Sequence, residues 1–344
     1  MSELKIVSLF SGVGGIDCGF HRAGFKTVFA TDIWDVSCNS LKENFPDSEV
    51  LTEDIKNINF EEIRRKYKKI DGLVGGPPCP SFSKSRFYRT EKDRGIDDAN
   101  GLLTVANYFR AVEELNPKFF FFENVHGFIY KPHQSALEFV NSESRRLGYK
   151  IFHTVVNTAD FGIPQTRERF ICVGVKKSLR DFKLPNPTHA SPTSEENKIK
   201  AWVTSGDVLN DIDFDLPEDV QMEAGSKHKN LLKLVPPGDN YLFFTKERGH
   251  PKPQFEWRSR YWSFLLKLSP DRPSWTIQAS HSNNMGPFHW KNRFLRIQEI
   301  KRIQSFTDEY VVLGSFRDQW RQIGNAVPPL LAYQFATEIK KQYF

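Results

Sequence analysis

A cysteine set between prolines, a glutamate at the end of an apolar run, and two arginines separated by one residue are the groups in this 344-residue chain equipped for covalent and acid–base chemistry. Cys79 lies in Gly75-Gly76-Pro77-Pro78-Cys79-Pro80-Ser81-Phe82-Ser83, directly after the apolar run Ile70 to Val74. Glycine and proline forbid that strand from continuing and force an exposed turn. The thiol is thereby presented at the carboxyl edge of a sheet, where open α/β folds hold their ligands. Cys79 is then either a nucleophile, if its neighbours lower its pKa, or a small incidental hydrophobe. Lys118 to Phe122 is the most continuously apolar run, as expected of a central strand covered on both faces, and it ends in Glu123-Asn124-Val125. A carboxyl at the tip of a buried strand has a raised pKa and can serve as an acid at neutral pH. The alternative is a carboxylate satisfied by local backbone donors. In Gln165-Thr166-Arg167-Glu168-Arg169-Phe170, strand alternation sends Gln165, Arg167 and Arg169 to one face. That face could meet Glu123 and a substrate oxygen, or form a solvated charged edge.

These groups need a frame, and the chain supplies one from its start. Lys5 to Phe10 reads as a strand, followed by Ser11-Gly12-Val13-Gly14-Gly15 and a helix to Ala23, the opening of a nucleotide-type βαβ unit. The glycines let backbone and helix N-terminus approach a ligand closely. A second strand, Thr27 to Thr31, ends in Asp32, at the spacing of a ribose-binding acid, although an N-cap would look the same. Ile33 beside it could cover an adenine face. Glu53-Asp54-Ile55 falls at the next strand end, where an acid could accept from an adenine amino group or be an ordinary loop acid. Lys84 to Gly95 is a long basic loop with interleaved aromatics, suited to phosphate contact and stacking, or simply solvated. A helix is expected from about Leu102 to Leu115, and a β-hairpin from Tyr149 to Val156 and Phe170 to Val175.

The composition, 39% hydrophobic and 26% charged, suits one large domain or a large plus a small one. A net charge of +6 is compatible with a polyanionic partner. Four cysteines without a CxxC pair or a His/Cys cluster argue against disulfides, structural zinc or any other metal, and for a reducing cytoplasm. Met1 to Leu9 is too short and charged for a signal sequence, and no apolar run reaches membrane length.

Taken together, Phe10-Ser11-Gly12-Val13-Gly14-Gly15, Pro78-Cys79, Glu123-Asn124-Val125 and Gln165-Thr166-Arg167-Glu168-Arg169 resemble the C5-cytosine DNA methyltransferases of prokaryotic restriction-modification systems, in that family's order and at compatible spacings. Arg293-Phe294-Leu295 through Glu299 to Arg302-Ile303-Gln304-Ser305-Phe306 is similar to its ninth motif, and Gln322-Ile323-Gly324-Asn325-Ala326-Val327-Pro328-Pro329 to its tenth. The resemblance implies a Rossmann-like S-adenosylmethionine-dependent sheet with helices on both faces, spanning residues 1–177. A smaller, irregular, mainly β target-recognition domain would follow at 178–292, and residues 293–344 would return to the first domain, ending in a helix from Pro329 to Phe344.

It also implies roles. The Cys79 thiolate would attack C6 of a cytosine flipped out of the duplex, Glu123 would protonate N3, Arg169 would hold the base O2, and Arg167 and Asn124 would complete the catalytic set. The cofactor, leaving as S-adenosylhomocysteine, would lie against Phe10, Ser11, Gly12, Gly14, Gly15, Asp32, Ile33, Asp54, Ile55, Pro78, Leu103, Asn325 and Ala326. Ser83, Ser85 and Arg86 would belong to a loop closing over the base. The chain departs from the family's usual pattern at Ser8, Ile33, Asn100 and Arg296.

Within 178–292 the charge divides. Asp207, Asp211, Asp213, Asp215, Glu218 and Asp219 read as a solvated face turned away from DNA. Lys246 to Arg260 is basic, and Arg248, Lys252, Arg258 and Arg260 are candidates for phosphate or guanine contact. Trp257 and Trp262 are expected in the core of the small domain. Thr276-Ile277 resembles the Thr-aliphatic pair near the end of such regions. Double-stranded DNA is thus the expected partner, for a monomer acting in a prokaryotic cytoplasm, either as the modification half of a restriction system, with no stable complex with its endonuclease implied, or as a solitary enzyme. The competing readings are a tRNA cytosine methyltransferase, against which the absence of a Cys-Phe-Thr tripeptide and of Pro-Pro-Cys-Gln argues, a catalytically silent DNA-binding homologue, and a Rossmann oxidoreductase, which would leave Pro-Cys and Glu-Asn-Val unexplained.

Overall fold

The computed structural model describes residues 3–78, 99–192, 199–258 and 261–344. Cys79, the loop carrying Ser83, Ser85 and Arg86, and Arg260 lie outside the described residues.

Strands and helices alternate through the first half of the chain: β1 (Leu4–Leu9), α1 (Gly15–Arg22), β2 (Phe25–Asp32), α2 (Asp35–Asn44), β3 (Glu49–Thr52), α3 (Phe60–Tyr67), β4 (Gly72–Gly75), α4 (Ala99–Leu115) and β5 (Phe119–Val125). Then come α5 (Gln134–Arg146), β6 (Tyr149–Asn157), a two-residue β7 (Gln165–Thr166) and β8 (Glu168–Lys176). Seven strands form one sheet in the order β3-β2-β1-β4-β5-β8-β6. The first five are parallel, as βαβ crossovers require, and the β6–β8 hairpin closes the edge antiparallel. Strand order reverses between β1 and β4, so the carboxyl ends of these two strands flank the crevice where such sheets bind ligands.

Four consecutive phenylalanines explain why β5 sits deep inside. Phe119 and Phe121 point to the side covered by α1 and α10 (Pro329–Tyr343), and Phe120 and Phe122 to the side covered by α3, α4 and α5. Glycines on the flanking strands make room for them. A Cβ at Gly72 would lie 2.1 Å from the Phe119 ring, and one at Gly174 would lie 2.0 Å from Phe120. Gly174→Ala is therefore expected to lower the unfolding free energy by about 1–3 kcal/mol, measurable by urea titration, because the ring has nowhere to go.

The C-terminal helix returns as expected and packs on α1. Among the described residues, 178–292 contain less strand than expected. Their strands are two residues long (β9 His189–Ala190, β10 Lys200–Ala201, β11 Ser274–Trp275), and short helical turns, α6 (Ser205–Leu209) and α7 (Lys229–Leu234) dominate around a small core of Leu232, Val235, Tyr241, Phe244, Leu265 and Phe288. Frequent Pro and Gly break every longer ladder in this stretch. Trp257 is not part of that core, being 47% exposed. Trp262 is half-buried against Trp275, ring centroids 5.5 Å apart.

The acidic stretch also differs from expectation. Asp219 is paired with Arg296, Asp213 with Lys291, and Asp211 with Arg302 of α8 (Ile297–Ile303). Arg296 further donates to the carbonyls of Ile212 and Phe214. Asp211 and Asp219 thus brace the stretch against the segment after Asn292, whereas Asp213 and Asp215 pair with Lys291, within the small domain; Asp211 and Asp215 remain largely exposed.

Candidate active site

The site is built along the carboxyl edge of the sheet. After β1 the chain makes a tight turn in which Phe10 and Gly12 both take left-handed backbone angles, φ 52° and 53°. The turn is tied back to β2: Ser11 N donates to Thr31 O (3.1 Å), and Gly12 N donates to the Asp32 carboxylate (2.8 Å). The other Asp32 oxygen accepts from Trp34 N at 3.0 Å. Burial pushes the Asp32 pKa up, against the pull of the Trp34 and Gly12 amides. Each carboxylate oxygen has a second lone pair to offer, so the N-cap-like bonding and a ribose contact are compatible.

One strand further out, Asp54 accepts from Lys56 N and pairs with the Lys56 ammonium. Its pKa is lowered by the Lys56 amide, which leaves it an acceptor at neutral pH. Ile55 turns its side chain into the core, so only its backbone belongs to the edge.

The second half of the site lies between β4 and β8. Arg169 Nε meets Glu123 Oε1 at 2.8 Å, with both side chains largely buried. Burial raises the Glu123 pKa, while Arg169 and Arg167 oppose it. The other oxygen, Oε2, faces Gly76: a Cβ built there would lie 2.8 Å from it. Asn124 Nδ2 donates to Pro77 O at 3.2 Å, tying the tip of β5 to the turn that leads into Cys79. A methyl at Gly76 would push the carboxyl out of line. Gly76→Ala is accordingly expected to reduce by about 100-fold the methyl transfer that the family resemblance implies, with affinity for the methyl donor retained, as read by single-turnover assay and calorimetry.

Of the three residues expected on one face, Arg169 alone meets Glu123 in an ion pair. Gln165 bonds Gln304, and Arg167 donates to the carbonyls of Ile277, Gly324 and Ala326. The remaining cysteines do not compete with Cys79: burial raises the thiol pKa of Cys18 to about 11 and pushes Cys38 and Cys172 up as well.

Several residues escaped the reading of the sequence. Arg321 of α9 (Phe316–Asn325) lies over the Trp34 ring, 4.4 Å from its centroid, beside Asp32. Arg110 of α4 donates to the carbonyls of Ile55 and Ile58 and holds the Asp54 turn. Tyr310 donates to Val13 O inside the glycine turn. An isolated aromatic or arginine carries no spacing signal; Trp34, two residues after a strand-end acid, was the one legible hint.

The DNA candidates sit on the surface. Lys252 is exposed; Arg248 pairs with Asp239 and Arg258 with Glu256, both half-exposed. Thr276 Oγ1 donates to Thr166 O, joining β11 to β7.

The chain thus carries an open α/β sheet with acids along its carboxyl edge and a buried carboxyl–arginine pair. The model of C-5 cytosine-specific DNA methylases matches residues 4–341, and the chain belongs to that family. It is 36% identical to type II methyltransferase M.SacI of Streptomyces achromogenes, over 95% of this chain and 90% of the relative, and 33% identical to M.NgoFVII of Neisseria gonorrhoeae, over 97% and 86%. The fold is shared with a DNA modification methyltransferase candidate from an Escherichia coli prophage (TM-score 0.72, 24% identity, 99% of each chain) and with Schizosaccharomyces pombe Dnmt2 (TM-score 0.66, 16% identity, 100% of each).

S-adenosylmethionine, the methyl donor that the family implies, fits this edge. Ile33 and Leu103 are left 71% and 56% exposed with apolar faces to cover, and a Cβ at Gly12 would meet nothing within 4 Å. Pro78 and Asn325 are also exposed, whereas the Ala326 carbonyl is already bonded to Arg167 and Gln304.

Proposed function

We propose that this protein transfers a methyl group from S-adenosylmethionine to C5 of a cytosine flipped out of a specific double-stranded DNA sequence, through a bond between Cys79 Sγ and C6. The Glu123–Arg169 pair, beside the turn that leads into Cys79, carries this reading. Asp32 would hold the ribose hydroxyls, Asp54 the adenine amino group, and Ile33 and Leu103 the flat faces. The donor supplies an electrophilic methyl carbon.

The protein's own part is to make C5 a nucleophile. As the Cys79 thiolate bonds to C6, the electron pair displaced toward N3 is met by the proton of Glu123, while Arg169 holds O2. C5 then carries the enamine electron pair and takes the methyl group. Loss of the C5 proton and breaking of the Cys79–C6 bond restore the aromatic ring and the thiolate. Burial raises the Glu123 pKa and so favours the protonated form that must donate to N3.

The protein would act as a monomer in a bacterial cytoplasm, as the modification partner of an endonuclease with which it forms no stable complex. Lys246 to Arg258, exposed on the small domain, suits the DNA backbone. Lys252→Ala is expected to lower the slope of log affinity against log salt by about one without changing the sequence preference.

The test is incubation with labelled S-adenosylmethionine and either duplex DNA or tRNA, and with duplex containing 5-fluorocytosine. Label in DNA at C5, together with a denaturation-resistant adduct that Cys79→Ser abolishes, is the expected result. Label in tRNA alone, or no adduct, overturns the reading.

A further inference from the structure

Beneath the glycine turn lies a carboxyl that the chemistry above does not use. Asp17, in the first turn of α1, is fully buried. Its Oδ1 accepts from Thr27 Oγ1 of β2 and its Oδ2 from Ser8 Oγ of β1, each at 2.9 Å. Ser8 Oγ in turn accepts from Ser11 Oγ at 2.9 Å. Ser11 stands between Phe10 and Gly12, the two left-handed residues of the turn.

We propose that Asp17 is a positioning residue for the cofactor: its carboxylate, acting through the Ser8 and Ser11 hydroxyls, holds the Phe10–Gly12 turn in the form that receives the methionine end of S-adenosylmethionine. This rests on the function proposed above.

Direction is what makes the chain of hydroxyls informative. An ionised carboxylate can only accept, so Ser8 must spend its proton on Asp17 and turn its lone pairs to Ser11. Ser11 then has a fixed acceptor at 2.9 Å, better than the Thr31 carbonyl at 3.3 Å. A protonated Asp17 must donate to one of its two hydroxyl partners. When it donates to Ser8, the Ser8 proton turns toward Ser11, so the Ser8–Ser11 bond reverses and Ser11 must spend its own proton on the longer bond to the Thr31 carbonyl.

Burial pushes the Asp17 pKa up to about 6, against the lowering by Thr27 and Ser8. Cofactor affinity is therefore full above that value and falls as pH drops through it. Stability moves the other way. An acid whose folded pKa is raised costs stability when ionised, so the folded state gains stability as pH falls from about 6 toward the ordinary 3.8.

The other groups that face this region are Cys18 and Arg22 of α1, Asp32 at the end of β2, Tyr310, and Lys340 of α10, which bonds Ala23 O at the far end of the helix. Cys18 and Tyr310, both raised, stay neutral throughout this range. Asp32 titrates on the other side of the turn, and substitutions at 8, 17 and 27 leave it in place.

The test is calorimetric binding of S-adenosylmethionine and S-adenosylhomocysteine from pH 5.5 to 8, with thermal unfolding alongside. Wild type is expected to bind about threefold more weakly at pH 5.5, where about three quarters of an acid with a pKa of about 6 is protonated, on the way to the roughly tenfold that one hydrogen bond is worth. Asp17→Asn, which cannot ionise and donates to one of its two hydroxyl partners, should lose the pH dependence of affinity and be no less stable than wild type at pH 8. Ser8→Ala keeps the buried acid but cuts the relay, so affinity should lose its pH dependence while the stability profile persists, moved to higher pH because a bond that favours ionisation is gone. Thr27→Val removes a bond that favours ionisation and should move the affinity midpoint to higher pH. A folded Asp17→Asn or Ser8→Ala with wild-type affinity and pH profile overturns the inference alone, as does an unmoved Thr27→Val midpoint. A wild type that binds neither compound at any pH overturns it together with the proposed function.

Discussion

Glu123→Gln should lower the rate of methyl transfer by about 10²–10⁴-fold, the usual worth of a positioned general acid, while leaving the protein folded and its cofactor affinity intact. The amide keeps the shape and can still accept from Arg169, so the ion pair's scaffold survives and only the transferable proton is lost. Single-turnover rates on a duplex with one target site measure the loss. The pH profile adds a second signature. Because burial raises the Glu123 pKa, the wild-type rate should climb as Cys79 ionises and fall again as Glu123 loses its proton. In Glu123→Gln the falling limb should vanish. A variant with the wild-type rate and both limbs would remove Glu123 from the chemistry.

Arg167→Ala should cost about 2–5 kcal/mol of stability, far more than an exposed arginine would. Its guanidinium is buried and reaches three carbonyls from two distant stretches: Ile277, Gly324 and Ala326. Gln304 still serves Ala326 in the variant, so two carbonyls, those of Ile277 and Gly324, lose this donor. Arg167→Lys offers one point donor in place of a fork and should recover only part of the loss. Denaturant unfolding measures both. Because Asn325 sits between two of the clamped carbonyls, surviving Arg167→Ala protein should also bind the cofactor less tightly. Unfolding at the wild-type midpoint would show the clamp to be incidental.

The contrast between these two arginines marks where sequence stops being informative. Arg169 could be aimed at Glu123 because it lies on β8 at a position diagonal to Glu123 on β5, where the period-two rule holds. Arg167 falls in the gap between β7 and β8, outside any ladder, and the rule that would have sent it to the same site no longer applies. The βαβ opening, the edge acids Asp32 and Asp54 and the deep burial of β5 were legible because each rests on local spacing or on an uninterrupted apolar run. Ser8 is bonded to an acid, Asp17, nine residues on and in another element, a pairing that no local spacing announces. The acids from Asp211 to Asp219 were misread as a free solvated face for the same reason. Their partners lie about eighty to ninety residues downstream, a distance that no window along the chain spans.

That bracing sets where this enzyme can be cut and rejoined. Arg296 and Arg302 each grip an acid and a carbonyl of the stretch from Val208 to Asp219. That stretch therefore travels with the catalytic body, although it precedes the basic surface in the chain. A hybrid that borrows residues 220–292 from a relative would keep every one of these grips, whereas a graft beginning at 178 would strand both arginines. The portable cassette is the shorter piece.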